Sequence, residues 1–297
     1  MIAHLRARAA AFRAAVVGTF LVAVVAACSA PAGTTTPQSG TSLPTPSASP
    51  SGTPAAEQIS GTFAIGDGRE LYLQCVGSGS PTILLEAGDT DTGTNAWRPV
   101  VPGLIHESRT CTYDRAGLGQ SSPATGCRQL DDLLDDLDAL LGTAGVEGPY
   151  VLVGASGGGF IMAGFAARHP EEVAGMVFVE VPKALTAELY PEVVPLIACD
   201  APDNIERRDY LAVEHAAWDN RTEVGDFPLT VLSNDYGDTV EPDTDEATNV
   251  EDQRGWFDLS AREGRQVVVT SGHGIPYAEP QLVIDEILAV LRTARGG

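Results

Sequence analysis

The segment VLVGASGGGFIMAG, residues 151–164, constrains the fold of this chain more than any other part of its sequence. Apolar residues lead into a run of six small residues with a single hydroxyl, Ser156, and a second apolar stretch at helical spacing follows. This pattern predicts a buried strand, a tight turn and a helix. The small residues either leave room for the pyrophosphate of a dinucleotide or form a tight turn that exposes Ser156 as a nucleophile.

Signals for strands and helices alternate through the chain from residue 58 onwards. Residues 59–65 and 70–76 flank a Gly-Asp-Gly turn and predict a β-hairpin. Further strands are predicted at 82–86, 110–113, 150–153, 175–179, 229–233 and 266–270, and helices at 129–141, 157–169, 251–262 and 280–293. Residues 182–226 have weak periodicity and several prolines, which indicates an inserted cap. The alternation predicts an α/β domain, residues 58–297, with a mostly parallel sheet between layers of helices.

The first 27 residues have the features of an export signal. Arg6, Arg8 and Arg13 precede an apolar stretch, residues 14–27, that is too short for a typical membrane span. The stretch ends in Val-Ala-Ala directly before Cys28, a pattern that resembles a bacterial lipoprotein signal, with an ordinary secretory signal as the alternative. The resemblance implies that Cys28 is diacylated and that the lipid alone anchors the protein to the outer face of the cytoplasmic membrane.

A low-complexity segment separates this cysteine from the domain. Between residues 29 and 56 every residue except Gln38 and Leu43 is Ser, Thr, Pro, Gly or Ala. Such a composition offers too little apolar surface to offset the entropy lost on ordering. Residues 28–57 are therefore predicted to be a lipidated, flexible tether.

The charge of the chain is strongly acidic. Of its 18 basic residues three lie in the leader, so that 15 remain against 40 acidic residues. A field of this sign argues against nucleic acid and anionic membrane surfaces as partners. Four cysteines remain besides Cys28, an even number that predicts two disulfides in an exported protein. Because no Cys or His pair has zinc-ligand spacing, no metal site is expected.

The residues around Ser156 fit the pattern G-x-S-x-G. Gly154 and Gly158 lie two positions before and after the serine, between a predicted strand and a predicted helix, as a nucleophile elbow requires. The same letters, GASGGG, also resemble a dinucleotide-binding turn, with Glu180 at the place of a ribose-binding acid. That turn normally follows the first strand of its domain, whereas several strands precede Ser156 and only two follow the strand ending near Glu180.

A base for such a serine is found near the end of the chain. His273 lies in VVVTSGHGIPY, after the last predicted strand and before the last helix. Imidazole titrates near neutral pH and is the usual general base for a serine hydroxyl. The dinucleotide hypothesis gives this histidine no role.

Five motifs together resemble the α/β-hydrolase fold family, over residues 59–293. They are LLEAGDTDTGTNAW, CTYDRAGLGQSS, LVGASGGG, GMVFVE and VVVTSGHG. The resemblance implies an eight-stranded, mostly parallel sheet flanked by helices, a small cap after the sixth strand, and hydrolysis through an acyl-enzyme without a cofactor. An active serine disfavours the epoxide hydrolase and dehalogenase branches, which use Asp as nucleophile. Where many members carry His-Gly after the third strand, this chain has Ala87-Gly88.

The resemblance also implies roles for individual residues. The oxyanion hole would use the backbone N–H of Gly157 and that of Asp89, or of Gly88 instead, because a carboxylate beside a developing negative charge is unfavourable. Glu180 is predicted as the acid of the triad, since a carboxylate in the apolar run MVFVEVP needs a partner such as His273. Asp235, and then Asp238, are the alternative acids, because they follow the seventh strand.

The family's strand order implies the disulfide pairing. It places the second strand antiparallel beside the fourth, which brings Cys75 and Cys111 together and leaves Cys127 to tie the cap through Cys199. The sequence thus predicts a cell-envelope serine hydrolase that cleaves small to medium carboxylic esters. The alternatives are a catalytically silent ligand-binding lipoprotein on the same fold and, less favoured, an NAD(P)-binding protein.

Overall fold

A single eight-stranded sheet forms the centre of the domain. The computed structural model describes residues 58–185, 191, 194–237 and 245–296, with side chains from residue 249 in the last segment. The strands are β1 Ile59–Gly66, β2 Arg69–Val76, β3 Thr82–Glu86, β4 Thr110–Asp114, β5 Tyr150–Ala155, β6 Val173–Val179, β7 Leu229–Asn234 and β8 Arg265–Val269. Their order is β1-β2-β4-β3-β5-β6-β7-β8, antiparallel at β1-β2 and β2-β4 and parallel elsewhere. The predicted mostly parallel, eight-stranded sheet is confirmed.

Helices connect the strands. They are α1 Gly93–Ala96, α2 Val101–Leu104, α3 Leu130–Ala144, α4 Gly158–Arg168, α5 Val194–Ile197, α6 Tyr210–Asp219, α7 Asp245–Gln253, α8 Ile275–Ala278 and α9 Pro280–Ala294. Two 3₁₀-helices, Pro170–Glu172 and Arg254–Leu259, complete the set for the described residues. Among these residues no helix is both long and apolar enough to cross a bilayer.

The sheet divides the apolar core into two layers. Alternate residues of a strand point to opposite faces, so that Leu152 and Phe178 lie in one layer while Val151 and Val177 lie in the other. Both faces are covered, which explains why β3 and β7 are buried along their whole length. Each fully buried side chain of this size contributes about 1.5–3 kcal/mol to stability.

The helix α3 is amphipathic. Its leucines recur at helical spacing and lie buried, whereas most of its aspartates face outward. A reciprocal capping box between Gln129 and Asp132 starts the helix. The prediction of a helix at 129–141 is confirmed with a slightly later end.

One predicted helix differs from the structure. Instead of a helix at 251–262, α7 ends at Gln253 and a 3₁₀-helix follows. Gly255 weakens the α-helix there, and Trp256 is completely buried against Phe160 and Phe178. The tighter turn places Trp256 and Leu259 on the same buried side. The four-residue helices α1, α2, α5 and α8 were not predicted, because four residues carry too little periodicity.

The structure contains both predicted disulfides. Cys75 and Cys111 are direct partners in the antiparallel ladder of β2 and β4, and their sulfurs are bonded. Cys127 is bonded to Cys199, 72 residues later, in the segment between β6 and β7 that was predicted as the cap. This second bond ties the cap to the loop that precedes α3. Cys28 and the predicted signal and tether lie outside the described residues.

Candidate active site

Ser156 lies at a strained turn between β5 and α4. Its φ is +49°, in the left-handed region that residues with a side chain rarely adopt. The turn is held by hydrogen bonds from Ser156 N to Val179 O (2.9 Å) and from Gly159 N to Ser156 O (3.0 Å). Strain kept at one serine by the surrounding backbone is typical of a functional position.

The glycines of the turn are needed because other backbone passes close to them. A Cβ at Gly154 would lie 2.6 Å from Gly159 Cα, and one at Gly158 would lie 2.3 Å from Ala87 O. The space beside these two glycines is therefore filled by the chain itself. This arrangement matches an elbow that presents Ser156 and leaves no gap there for a pyrophosphate, which argues against the dinucleotide hypothesis.

His273 reaches Ser156 from the loop after β8. The distance from His273 Nε2 to Ser156 Oγ is 2.9 Å across a sequence separation of 117 residues. The loop is held by Asn234, whose Oδ1 accepts hydrogen bonds from Ser271 N (3.0 Å) and Gly272 N (3.1 Å). A nucleophile and a base are thus within hydrogen-bond reach of one another.

Glu180 lies at the end of β6, but its hydrogen bonds do not go to His273. The carboxylate accepts from Asn234 N (2.7 Å), Tyr236 Oη (2.9 Å) and Asn249 Nδ2 (2.8 Å). Burial raises the pKa of the Glu180 carboxyl, and the hydrogen bonds from Tyr236 and Asn234 offset part of the rise. In the part of the chain that the structure describes, Asn234 links Glu180 to the histidine loop, whereas the sequence predicted direct contact of Glu180 with the imidazole.

The two alternative acids have different surroundings. Asp235 is exposed, and its Oδ1 accepts from Thr270 Oγ1 (2.6 Å) and Gly237 N (3.1 Å). It therefore serves the surface turn after β7 and not the imidazole. Asp238 lies outside the described residues.

The loop after β3 runs along the nucleophile. A Cβ at Gly88 would lie 3.3 Å from Ser156 Cβ. Arg115 donates to both carbonyls of this loop, from Nη1 to Ala87 O (2.8 Å) and from Nη2 to Gly88 O (2.8 Å). In a trans peptide the N–H points opposite to the preceding C=O, so the N–H of Asp89 points away from Arg115. The N–H of Gly88, which follows the Ala87 carbonyl, points away from Arg115 for the same reason, so both N–H groups stay candidates for the second oxyanion donor.

Arg115 is itself held by buried carboxylates. Its guanidinium pairs with Glu86 of β3 and, at 2.6 Å, with Glu206 of the cap. Tyr113 also donates to Glu86. Burial raises the pKa of Glu86, whereas the carboxylates of Glu206 and Glu86 outweigh burial and raise the pKa of Arg115 well above its usual value. Removing one member would leave an uncompensated buried charge.

The comparisons with known proteins agree with this geometry. A family model described as alpha/beta hydrolase fold matches residues 81–241, which is more than half of the chain. The chain belongs to the α/β-hydrolase fold family.

The individual relatives of this α/β-hydrolase that follow have low to moderate sequence identity to it. The uncharacterized protein YqjL of Bacillus subtilis is 28% identical over 215 residues, which cover 70% of this chain and 82% of YqjL. RutD of Azorhizobium caulinodans, a proposed carbamate hydrolase, is 35% identical over 117 residues, 39% of this chain and 43% of that protein. A thermophilic esterase from Thermogutta terrifontis superposes with a TM-score of 0.57 at 20% identity, covering 80% of this chain and 99% of the esterase. Together the fold and these relatives support a hydrolase.

The other histidines that the structure describes have surroundings of their own. His169 Nε2 lies 2.8 Å from Asp138 Oδ1, and His215 contacts Asp219 (2.9 Å) and Leu185 O (2.8 Å). His106 is exposed on the surface. In the described part of the chain, no group of three His, Cys, Asp or Glu residues is arranged to hold a metal ion.

Several residues that shape the site were not predicted. They are Asn234, which holds the histidine loop, Arg115, which binds the loop after β3, and the cap residues Glu206 and Arg208. The available signal was weak: charged residues at 206–209 in a segment without helical or strand periodicity. Their partners are far away in the sequence, so local patterns do not reveal them.

Proposed function

We propose that this protein is an exported serine hydrolase that cleaves small to medium carboxylic esters. The observation that carries the proposal is the 2.9 Å contact between His273 Nε2 and Ser156 Oγ at a strained elbow. The family membership supports hydrolysis as the reaction class. The ester class rests on the chemistry of a serine–histidine pair, which is suited to attack on a carbonyl carbon.

The proposed reaction proceeds in two halves. His273 takes the proton of Ser156 while Oγ attacks the ester carbonyl carbon, and the N–H groups of Gly157 and Asp89 bind the resulting oxyanion. The intermediate collapses, the bond to the leaving alkoxide breaks, and His273 donates the proton to it. Water then repeats these steps on the acyl-enzyme and releases the carboxylic acid and free Ser156.

Two measurements test the proposed activity. A fluorophosphonate probe should label the protein at Ser156 with one phosphonate per chain, and p-nitrophenyl esters of graded acyl length should be hydrolysed. Because RutD is named for carbamates, a p-nitrophenyl carbamate belongs in the same panel. A folded protein that takes up no probe and cleaves none of the esters would instead be a catalytically silent ligand-binding lipoprotein.

The proposed location is the outer face of the bacterial cytoplasmic membrane, through lipid on Cys28. The basic leader, the short apolar stretch and the tether support it, as do the two disulfides, which form in oxidising compartments. Fractionation of cells expressing the full chain tests it. The protein should enter the membrane fraction and Cys28→Ser should release it; an unlipidated parent protein in the soluble fraction would contradict the anchor.

The contribution of Glu180 can be measured against that of Asp235. We expect Glu180→Gln to lower kcat by about 100-fold, because its amide NH₂ would face one of the donors, Asn234 N or Asn249 Nδ2, from which the carboxylate now accepts. Asp235→Asn should stay within about threefold of the parent, since Asp235 is an exposed surface residue. Steady-state kinetics with a p-nitrophenyl ester provide the comparison.

A further pair of variants separates a direct from an indirect role for Glu180. If Glu180 acts through Asn234, the kcat losses of Glu180→Gln and Asn234→Ala should not add in the double variant, because both release the same loop. Asp238→Asn is measured in parallel, and a loss larger than that of Glu180→Gln would make Asp238 the acid of the triad. The reverse ranking of Glu180 and Asp235 would move the acid to Asp235.

A further inference from the structure

The cap contains an arginine that is completely buried close to the nucleophile. Arg208 has an exposed side-chain fraction of 0%, and its Nη2 lies 2.9 Å from Asp89 Oδ1. Its guanidinium also lies over the ring of Tyr210, with Cζ 4.4 Å from the ring centroid. Among the described residues, Nε and Nη1 of Arg208 have no hydrogen-bond partner. A buried cation with unused donors is costly and calls for a function.

The partner of this arginine lies against the oxyanion side of the elbow. A Cβ at Gly157 would come within 1.8 Å of Asp89 Oδ1, so the carboxylate of Asp89 packs directly on Gly157. Gly157 and Asp89 are also the residues whose N–H groups are proposed to bind the oxyanion. An uncompensated carboxylate at this position would repel the negative charge that develops in the transition state.

Two residues of the cap, Glu206 and Arg208, bind the loop after β3 that contains Asp89 and Thr90, which we call the oxyanion loop. Glu206 Oε1 accepts from Thr90 N (2.9 Å), where Thr90 has a φ of +63°, and Arg208 binds the neighbouring Asp89. The backbone of Arg208 is fixed in turn by Asn204, which accepts from its N and donates to its O. Arg208 also forms a parallel bridge with Arg128, next to the disulfide at Cys127.

We propose that Arg208 is a positioning residue that neutralises Asp89, so that an aspartate can stand at the oxyanion hole and offer its N–H without its charge opposing the reaction. The inference rests on the proposed serine hydrolase function and adds a role for the cap. In this proposal the negative charge of the Asp89 carboxylate opposes the reaction, and the positive charge of Arg208 offsets it. If the ion pair were purely structural, Asp89→Asn would be at least as damaging as Arg208→Met, because it would leave the completely buried guanidinium without its counter-charge.

Three variants test whether the charge of Asp89 opposes the reaction when Arg208 is removed. Arg208→Met removes the guanidinium that faces the carboxylate and should lower kcat by about 100-fold, comparable to the loss of one oxyanion donor, with KM changed far less. Asp89→Asn removes the carboxylate but keeps the backbone N–H, so its loss of kcat should be at least about tenfold smaller than that of Arg208→Met. The double variant Asp89→Asn/Arg208→Met contains neither charge and should recover at least about tenfold over Arg208→Met. Arg207→Met, at the exposed neighbouring position, is the matched control and should leave kcat unchanged.

The outcomes separate this inference from the function on which it rests. Thermal unfolding is measured for every variant. If Arg208→Met does not fold, Arg208→Lys, which keeps the positive charge, and Asp89→Asn still test whether Arg208 acts by neutralising Asp89. Equal losses in Asp89→Asn and Arg208→Met, or a double variant as poor as Arg208→Met, would overturn the role of Arg208. The rate of fluorophosphonate labelling should fall in Arg208→Met. A parent protein that is not labelled at Ser156 would overturn the hydrolase function itself.

Discussion

Replacing Ser156 with alanine is expected to lower kcat for ester hydrolysis by about 10⁴-fold or more while the protein stays folded. The hydroxyl is the only group of the residue that the proposed reaction uses, and alanine is small enough for the turn. The strain of a φ of +49° remains with either residue, so the melting temperature should change little. The measurements are steady-state kinetics on a p-nitrophenyl ester, probe labelling and thermal unfolding.

A second serine provides the control for this variant. Ser60→Ala removes an exposed hydroxyl from β1, on the opposite edge of the sheet from β8, and should leave the kinetics unchanged. Residual activity of Ser156→Ala within about tenfold of the parent would contradict Ser156 as the nucleophile. The geometry with His273 would then have a structural explanation only.

Removing the Cys127–Cys199 disulfide by a double serine substitution should lower the free energy of unfolding by about 4 kcal/mol. The bond joins residues 72 positions apart and restricts the unfolded chain accordingly. It also lies beside the bridge of Arg128 with Arg208, so the cap should hold the oxyanion loop less firmly. Urea unfolding followed by circular dichroism measures the change in stability.

The controls for this prediction use the same cysteines. Peptide mapping without reduction should show Cys127 linked to Cys199 in the parent protein, and Cys75 linked to Cys111. The matched double variant at Cys75 and Cys111 breaks a bond between two buried strands, with a separation of 36 residues, and leaves the cap attached. Loss of less than about 1 kcal/mol on removing Cys127–Cys199 would show that the cap is held without it.

Much of the fold was predictable because its signals are local. Strands such as β3 are continuous apolar runs, and α3 repeats its leucines at helical spacing, so each element could be recognised within its own window. The elbow at Ser156 is also local, since its glycines precede and follow the serine by two residues. His273 was predicted from its place after the last strand and from imidazole chemistry. The two disulfides needed the family's strand order in addition, and the structure agrees with that order.

The sequence by itself determined the alternating α/β architecture, the glycine-flanked serine and the acidic character of the chain. Only the tertiary structure decided which partner each buried charge takes. Glu180 accepts from Asn234, Tyr236 and Asn249, which are 54 to 69 residues away. Arg208 in the cap lies against Asp89, where no local pattern suggested a charge pair. The physical reason is that a buried charge is stabilised by whichever groups the completed packing brings within about 3 Å, and that packing depends on the whole chain.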